Sequence, residues 1–304
     1  MDKIGLYLAA HPQGAMAKDI AKFLDLPKKE VSAFLCRYPD RYRQGTDFSW
    51  TLRSADFASD PVLQKLQNRE RAGKFTDEQF RALADWSRGA RHTDSDPVKV
   101  YTTLTGNVID CDSLSETAML RYLEERSFVT EVGGQALELE YCTSFRSGVK
   151  YYPDIVAHLK DGSIAVIEVK SDSAMDYHLN VEKYEALKAY CRRKGFLYMM
   201  VDPYSDFFTF EELCSMEIAP ELLEFFEEWD AIPDTREQPF KVFNEEDVAN
   251  WYAMYGEGCS EWSFKRMVHA LVVSHGWYNV FQNGFLVFSR PVKIIDGEVA
   301  DWEE

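Results

Sequence analysis

The chain has 304 residues, enough for two or three domains, and 46% of them are hydrophobic, which excludes bulk disorder. No apolar run is long enough to span a membrane, and the N-terminus lacks the apolar region of a signal peptide. We therefore expect a cytoplasmic protein without membrane contact. The six cysteines form neither a C-x-x-C pair nor a Cys/His zinc pattern, which is typical of free thiols in a reducing compartment.

The net charge of −17 argues against nucleic-acid binding when it is taken as a sum. Its distribution is uneven, because the first fifty residues are slightly basic while most of the Asp and Glu excess follows Tyr204. An acidic surface repels phosphate, so we expect the C-terminal third to bind a protein partner rather than DNA. The sequence leaves homo-oligomer formation open.

Residues 1–53 are predicted to form a winged helix-turn-helix-like domain. Two short amphipathic helices precede a third over Lys28–Cys36, and a hairpin follows over Tyr42–Leu52. DNA contact is expected from the third helix and from the region of the wing, through Lys28, Lys29, Ser32, Arg37, Arg41 and Arg43. The same layout also makes a scaffold or a protein-docking module, because a fold does not define a function.

Two further segments are predicted to have different roles. Residues 54–100 are polar and partly helical, and we predict a helical connector there. Residues 204–304 are predicted to be an acidic, mainly helical domain that ends in a hairpin at Asn283-Gly284. This domain also has the layout of a second winged-helix-like unit, and its acidity favours partner binding over reading of a DNA groove.

Residues 101–203 are predicted to contain a strand meander followed by a helix and one more strand. The meander strands are expected over Gln135–Tyr141, Tyr151–Leu159 and Ser163–Val169, with Asp161-Gly162 as the last turn. A crossover helix over 181–193 should place the final strand, 196–201, parallel to the third. The result is a mixed sheet with helices on its faces.

Two carboxylates and a lysine are expected to meet at one end of this sheet. Asp154 and Glu168 lie at comparable distances from the turn, so antiparallel pairing places them opposite each other. Glu168 and Lys170 interrupt an otherwise apolar strand at i and i+2 and therefore share one face. Such buried charges cost on the order of several kcal/mol unless they are paired or bind metal.

The residue types at this point favour a metal site. Two converging carboxylates supply the hard oxygen ligands that suit Mg²⁺ or Mn²⁺, and a neighbouring lysine can stabilise an anionic transition state. The alternative is an exposed cross-strand ion pair worth less than about 1 kcal/mol. The apolar context of the strand favours the metal site.

Several short segments carry a family resemblance. They are, in chain order, Ser113-Leu114-Ser115-Glu116, Val132-Gly133-Gly134-Gln135, Tyr152-Pro153-Asp154, Asp161-Gly162, Ile167-Glu168-Val169-Lys170 and the helix Tyr184–Gly195. In order and spacing they resemble the PD-(D/E)XK restriction-endonuclease-like superfamily. Within that superfamily they are most similar to the TnsA-type endonuclease subunits of heteromeric transposases.

The resemblance implies an α/β fold with a restriction-endonuclease-like mixed sheet core, and a DNA endonuclease that uses Mg²⁺ or Mn²⁺. Asp154 and Glu168 would be metal ligands, with Val169 assigned to the same metal site. Lys170 would be the catalytic lysine, and Glu116 the helix carboxylate that completes the site.

Three functions stay open at this stage. The first is a DNA endonuclease in transposition, restriction or phage-related DNA processing. The second is a structure-selective nuclease of repair or recombination. The third is a non-catalytic adaptor that contacts DNA and protein through its two flanking units.

Overall fold

The computed structural model describes residues 3–11, 14–37, 42–44, 48–52, 60–83, 98–102, 104–233, 240–295 and 298–300. These residues form a mixed α/β protein around a five-stranded mixed sheet. Residues 3–52 are called the N-terminal unit, 60–218 the central unit and 220–300 the C-terminal unit. Within the described ranges, no helix is long and apolar enough to cross a membrane.

The N-terminal unit packs its helices against a small antiparallel sheet in the order β1-β3-β2. Its elements are α1 (Lys3–Ala10), β1 (Ala15–Met16), α2 (Ala17–Leu24), α3 (Lys28–Arg37), β2 (Tyr42–Gln44) and β3 (Ser49–Leu52). Ile20, Val31 and Leu35 are fully buried in its core. The predicted helices and hairpin are therefore present. Arg41 and the side chain of Arg43 lie outside the described part of the chain.

The central unit holds the main sheet, whose strand order is β12-β11-β10-β9-β6. Its elements are α4 (Pro61–Lys65), α5 (Asp77–Leu83), β4 (Val98–Tyr101), β5 (Val108–Cys111), α6 (Leu114–Glu124), β6 (Val129–Gly134), β7 (Leu139–Tyr141), β8 (Val149–Tyr151), β9 (Ile155–Leu159), β10 (Ile164–Val169), α7 (His178–Lys194), β11 (Leu197–Asp202), β12 (Phe208–Thr209) and α8 (Phe210–Cys214). Strand β11 is parallel to β10, as the crossover helix predicts, and the other pairs are antiparallel.

The predicted strand Gln135–Tyr141 is wrong. The strand of the main sheet is β6, which ends at Gly134, and β7 pairs instead with β8 in a separate two-stranded sheet. The reason lies at Gln135, whose φ of 48° turns the chain out of the sheet. The apolar alternation of Leu137, Leu139 and Tyr141 reflects burial against a neighbouring layer rather than membership of the main sheet.

The predicted strand Tyr151–Leu159 is also not continuous. It is divided into β8 and β9 at Tyr152-Pro153-Asp154. Proline has no N–H to donate to a ladder, so a strand interior does not pass through Pro153. The division leaves Asp154 immediately before β9, where its side chain reaches the end of the neighbouring strand β10.

The sheet carries a core on each face because its strands are buried on both sides. Ala157, Ile167 and Met199 face the layer that contains α6, whereas Val156, Val166 and Met200 face the layer that contains α7. The segment predicted as a connector contributes to both layers. Val62, Leu63 and Leu66 are buried in the first, and Phe80 is buried in the second. Residues 60–83 therefore pack as part of the central unit.

The C-terminal unit repeats the element order of the N-terminal unit without repeating its sequence. Its elements are α9 (Pro220–Ala231), β13 (Val242–Asn244), α10 (Glu245–Tyr255), α11 (Glu261–Ser274), β14 (Tyr278–Asn279) and β15 (Leu286–Phe288), followed by β16 (Lys293–Ile295) and β17 (Glu298–Ala300). The order β13-β15-β14 matches β1-β3-β2. Strands β14 and β15 pair antiparallel on either side of Asn283-Gly284, Tyr278 with Phe288 and Asn279 with Val287.

We predict that Phe80→Ala lowers the free energy of unfolding by about 3–5 kcal/mol, because a fully buried phenylalanine ring leaves a cavity when it is truncated. Urea unfolding followed by circular dichroism measures the loss. The matched control is Phe23→Ala, since the Phe23 side chain is 71% exposed and its loss should change stability little. Equal effects of the two substitutions would contradict the assignment of residues 60–83 to the central core.

Candidate functional site

The end of the β9–β10 pair brings Asp154 and Glu168 together. Ile155 pairs with Ile167, and one step further along the same antiparallel register places Asp154 opposite Glu168. The Asp154 carboxylate accepts a hydrogen bond from the Val169 N–H at 2.8 Å, so it closes the end of β10. The two carboxyl groups therefore lie at the same end of the strand pair, and the side chain of Glu168 is only 3% exposed.

Lys170 places its ammonium at the point where the predicted metal-ligand residues meet. Its Nζ lies 2.9 Å from Glu168 Oε1 and 3.4 Å from Asp154 Oδ2, and it donates to the Val169 carbonyl at 2.8 Å. Val169 has an apolar side chain, so this carbonyl is its only ligand atom. In the described part of the chain no three His, Cys, Asp or Glu side chains are grouped as a metal site, and the cation among these oxygens is the lysine.

Glu116 approaches the same site from α6. Ser113 caps this helix by accepting the Glu116 N–H at 3.1 Å, and Glu116 in turn accepts the Ser113 hydroxyl at 3.0 Å and the Asp112 N–H at 2.8 Å. The cap buries the carboxylate, which is 6% exposed. Its negative charge acts on both Asp154 and Lys170. The structure thus brings all four predicted catalytic residues to one region.

Burial and like charge shape the protonation of the site. Burial and the negative charge of Glu168 together raise the pKa of Asp154 to about 8, although Lys170 acts to lower it. Burial also raises the pKa of Glu116. For Lys170 burial alone would lower the pKa, but the charges of Asp154 and Glu168 outweigh it and hold the pKa above its ordinary value. The lysine stays charged at neutral pH, and with all three carboxyl groups ionised the site would carry more negative charge than one ammonium neutralises.

Two residues of the site were missed as functional residues by sequence reasoning. The hydroxyl of Tyr151, a fully buried side chain, donates to Glu168 Oε2. Gln135 donates its backbone N–H to the Asp154 carbonyl at 3.0 Å and its side-chain amide to Asp112 Oδ2 at 2.9 Å. A tyrosine at a buried strand position is a signal for such a role, because a buried hydroxyl needs a partner. The role of Gln135 depends on its positive φ, which the sequence pattern did not indicate.

The predicted DNA-binding residues are distant in sequence from the carboxylates and lie on the N-terminal unit. Helix α3 buries Val31 and Leu35. On its remaining surface Lys28, Lys29 and Arg37 are exposed, and Ser32 is partly exposed. Arg43 lies on β2.

We predict that the metal-free Asp154→Asn variant is more stable than wild type above pH 4. A folded-state pKa near 8, against an ordinary value of 3.8, means that the folded protein binds a proton that the unfolded chain releases in this range. Wild type therefore loses stability as pH rises from about 4 to about 8, and the variant does not. The gap should reach a few kcal/mol at pH 8, because one pKa unit corresponds to about 1.4 kcal/mol.

The control for this prediction is Asp161→Asn, at the other end of the same strand pair. Burial tends to raise the pKa of Asp161, but hydrogen bonds from Lys74 and Ser163 outweigh it and lower the pKa. This variant should be less stable than wild type at neutral pH, and the deficit should fade as pH falls below about 4. Urea unfolding across pH with a chelator present measures both. The same sign for both variants at pH 7 would contradict the electrostatic account.

The part of the chain that contains Asp154, Glu168 and Lys170 is similar to a known protein family. Residues 126–202 match the family described as TnsA-like endonuclease N terminal. The matched segment runs from just before β6 to the end of β11 and contains Asp154, Glu168 and Lys170, while Glu116 precedes it. A search of curated proteins found no match to the chain. The family match confirms the resemblance predicted from the sequence, and residues 126–202 of the central unit are similar to the N-terminal domain of TnsA-like endonucleases.

Proposed function

We propose that this protein is a divalent-metal-dependent DNA endonuclease that hydrolyses phosphodiester bonds in transposition, restriction or phage-related DNA processing. The observation that carries the proposal is the convergence of Asp154, Glu168 and the Val169 carbonyl on the Lys170 ammonium, inside the segment that matches the endonuclease family.

Mg²⁺ or Mn²⁺ would be held by the carboxylates of Asp154 and Glu168 and by the carbonyl of Val169. The donor set fits such an ion, because all three groups are hard oxygen ligands. The raised pKa of Asp154 supports the fit, since it marks a carboxylate whose charge is incompletely compensated by the protein alone. When bound, the ion supplies Lewis-acid stabilisation of negative charge on the phosphate and makes water more acidic.

Lys170 is proposed to stabilise the negative charge that develops on phosphorus oxygens in the transition state. Its raised pKa keeps it protonated at neutral pH, so it acts as an electrostatic group and hydrogen-bond donor rather than as a base. In the metal-free protein its three oxygen partners restrain it. Substrate binding would require the ammonium to exchange some of them for phosphate oxygens.

The remaining residues are proposed to hold these groups in place. Tyr151 fixes one oxygen of Glu168 and leaves the other, Oε1, directed at the cation position. Glu116 carries a raised pKa and faces the site from α6, and we propose that it holds water at the site. A structure-selective repair nuclease would use the same residues, and a comparison of branched with linear substrates separates the two functions.

We predict that wild type binds Mn²⁺ in the presence of a short duplex and that Glu168→Ala abolishes this binding, because the variant lacks one of the two carboxylate ligands. Isothermal titration calorimetry measures it. The matched control is Glu131→Ala, since Glu131 is also buried, lies on the neighbouring part of the sheet in β6 and pairs with Arg81 instead. The control should bind Mn²⁺ like wild type.

Plasmid nicking with Mg²⁺ tests the catalytic step with the same protein. Asp154→Ala and Lys170→Ala should each lower the rate by roughly a hundredfold or more, as expected when an electrostatic stabiliser of a transition state is removed. Unchanged nicking in both variants would overturn the assigned site. Absence of Mn²⁺ binding by wild type would favour the non-catalytic adaptor.

The N-terminal unit is proposed to be a winged helix-turn-helix that contacts DNA through α3. Support comes from the element order and from the exposed cations on a helix whose opposite face is buried. Arg37 on α3, together with Arg41 and Arg43 near the second strand, would extend the contact along the phosphate backbone.

We predict that the double substitution Lys28→Glu/Lys29→Glu lowers the affinity for a short duplex at least tenfold. It should also reduce the slope of log Kd against log salt by about one for each phosphate that the protein no longer neutralises. Fluorescence anisotropy at several salt concentrations measures both quantities. The control is Lys18→Glu/Lys22→Glu, which reverses two exposed charges on α2. A control that weakens binding as much as the α3 variant would show that only net charge matters.

The C-terminal unit is proposed to bind a basic protein partner. On α9, Glu221, Glu224 and Glu228 line a groove together with Phe225 and Tyr255. Carboxylates beside aromatic rings suit lysine or arginine side chains of a partner.

A further inference from the structure

The segment that follows Lys170 contains two acidic residues that need partners. Residues 171–177 link β10 to α7 and include a 3₁₀ turn over Asp172–Ala174. The side chain of Asp172 is 12% exposed and that of Asp176 is fully buried. From the central unit, Asp202 accepts the Asp172 backbone N–H at 3.0 Å, so one side of the segment is fixed by the end of β11.

Side chains of the C-terminal unit contact both carboxylates. Arg266 on α11 donates its Nε–H to Asp172 Oδ2 at 2.7 Å. One turn further along α11, His269 Nδ1 lies 2.9 Å from Asp176 Oδ2. The side-chain amide of Asn279, on β14, donates to the same oxygen at 2.9 Å. These contacts are buried, so solvent screens them weakly.

The guanidinium of Arg266 is held in one orientation by aromatic rings. It lies 3.5 Å from the ring centre of Trp262 on its own helix and 3.9 Å from that of Phe208 on β12 of the central unit. Arginine combines a planar face that stacks with edge donors that bind carboxylate, so the rings aim Nε at Asp172. A lysine would keep the charge without this directional constraint.

Helix α11 belongs to two cores at once. Phe264, Val268 and Leu271 are buried in the C-terminal core, whereas Ala270 is buried in the central core with Val273 packed beside it. The helix that carries Arg266 and His269 is therefore seated on the central unit by apolar contacts as well as by charge.

We infer that Arg266 is a positioning residue for the endonuclease site, and that the C-terminal unit completes this site by fixing the segment that follows Lys170. The inference rests on the proposed nuclease function. The Lys170 N–H donates to the Val201 carbonyl at 3.1 Å, at the end of the β10–β11 pairing. Two residues later the chain is fixed by Asp172. Lys170 therefore lies in the stretch of chain between these two fixed points, whereas the two carboxylates come from the β9–β10 pair.

Removal of the Arg266–Asp172 pair should therefore disturb Lys170 and leave metal binding intact. The test compares Arg266→Gln with Lys265→Gln. These neighbouring residues on α11 each lose one positive charge, but Lys265 pairs with Glu245 and Glu261 inside the C-terminal unit. The conservative variant Arg266→Lys is included to separate charge from orientation.

Amide hydrogen exchange followed by mass spectrometry is the first measurement, because it does not depend on cleavage. Arg266→Gln should speed exchange across residues 171–177 at least tenfold, with Lys265→Gln unchanged and Arg266→Lys in between. Unchanged exchange in this segment would overturn the inference. So would faster exchange confined to α11, because it would mean that Arg266 stabilises only its own unit.

Mn²⁺ calorimetry and plasmid nicking form the second measurement. Arg266→Gln should lower the turnover number at least tenfold at saturating Mg²⁺ and DNA, with the Mn²⁺ Kd within twofold of wild type. Faster exchange with an unchanged turnover number would overturn the positioning role. A wild type that binds no Mn²⁺ would instead contradict the proposed metal-dependent function, and the exchange result would still decide whether the C-terminal unit fixes the segment.

Discussion

The close approach of two buried carboxyl groups at the end of the β9–β10 pair is the constraint on which the rest of the structure depends. Asp154 and Glu168 are opposite each other in the antiparallel register, and the Lys170 ammonium lies among their oxygens. This cluster of charges adds little to the stability of the fold, because the free-energy cost of desolvating the carboxylates exceeds the attraction that one ammonium provides. The pKa of Asp154 is raised because burial disfavours its charged form. Strained electrostatics of this kind are typical of a site that is completed by a ligand.

The rest of the central unit keeps these charges in place. The sheet is buried on both faces, so its strands have little freedom to shift register, and a shift of one residue would move Glu168 to the other face. The α6 cap adds Glu116, and Tyr151 fixes the orientation of Glu168 through its hydroxyl. Residues 60–83 contribute buried apolar side chains to both layers beside the sheet. Positioning of the site is thus distributed over segments far apart in the sequence.

The two flanking units share an element order but differ in charge and in attachment. Exposed cations lie on α3, whereas α9 carries carboxylates beside aromatic rings. Helix α11 of the C-terminal unit is packed into the central core, and its Arg266 pairs with Asp172. One layout therefore presents two different surfaces, because a small helical and β-hairpin scaffold fixes only the placement of its surfaces. Charge and packing decide what each surface contacts.

The sequence by itself determined the chemistry of the site and most of the local elements. Glu168 and Lys170 interrupt an apolar strand, and Asp154 and Glu168 lie at comparable distances from the Asp161-Gly162 turn. These two features were sufficient to predict that the carboxylates converge, since strand period and turn position are local properties. The start of α10 is also set locally, because the Asn244 side chain accepts hydrogen bonds from the Glu246 and Asp247 N–H groups.

Only the tertiary structure decided which strands share the main sheet and which distant residues support the site. The alternation of Leu137, Leu139 and Tyr141 suggested a strand of the main sheet, but the positive φ of Gln135 removes that segment from it, and backbone dihedrals of this kind are set by packing. The contacts of Tyr151 with Glu168 and of Arg266 with Asp172 join residues far apart in the chain. The periodicity of apolar residues in a sequence indicates which face of a helix or strand is buried. It does not indicate which other residues that face packs against.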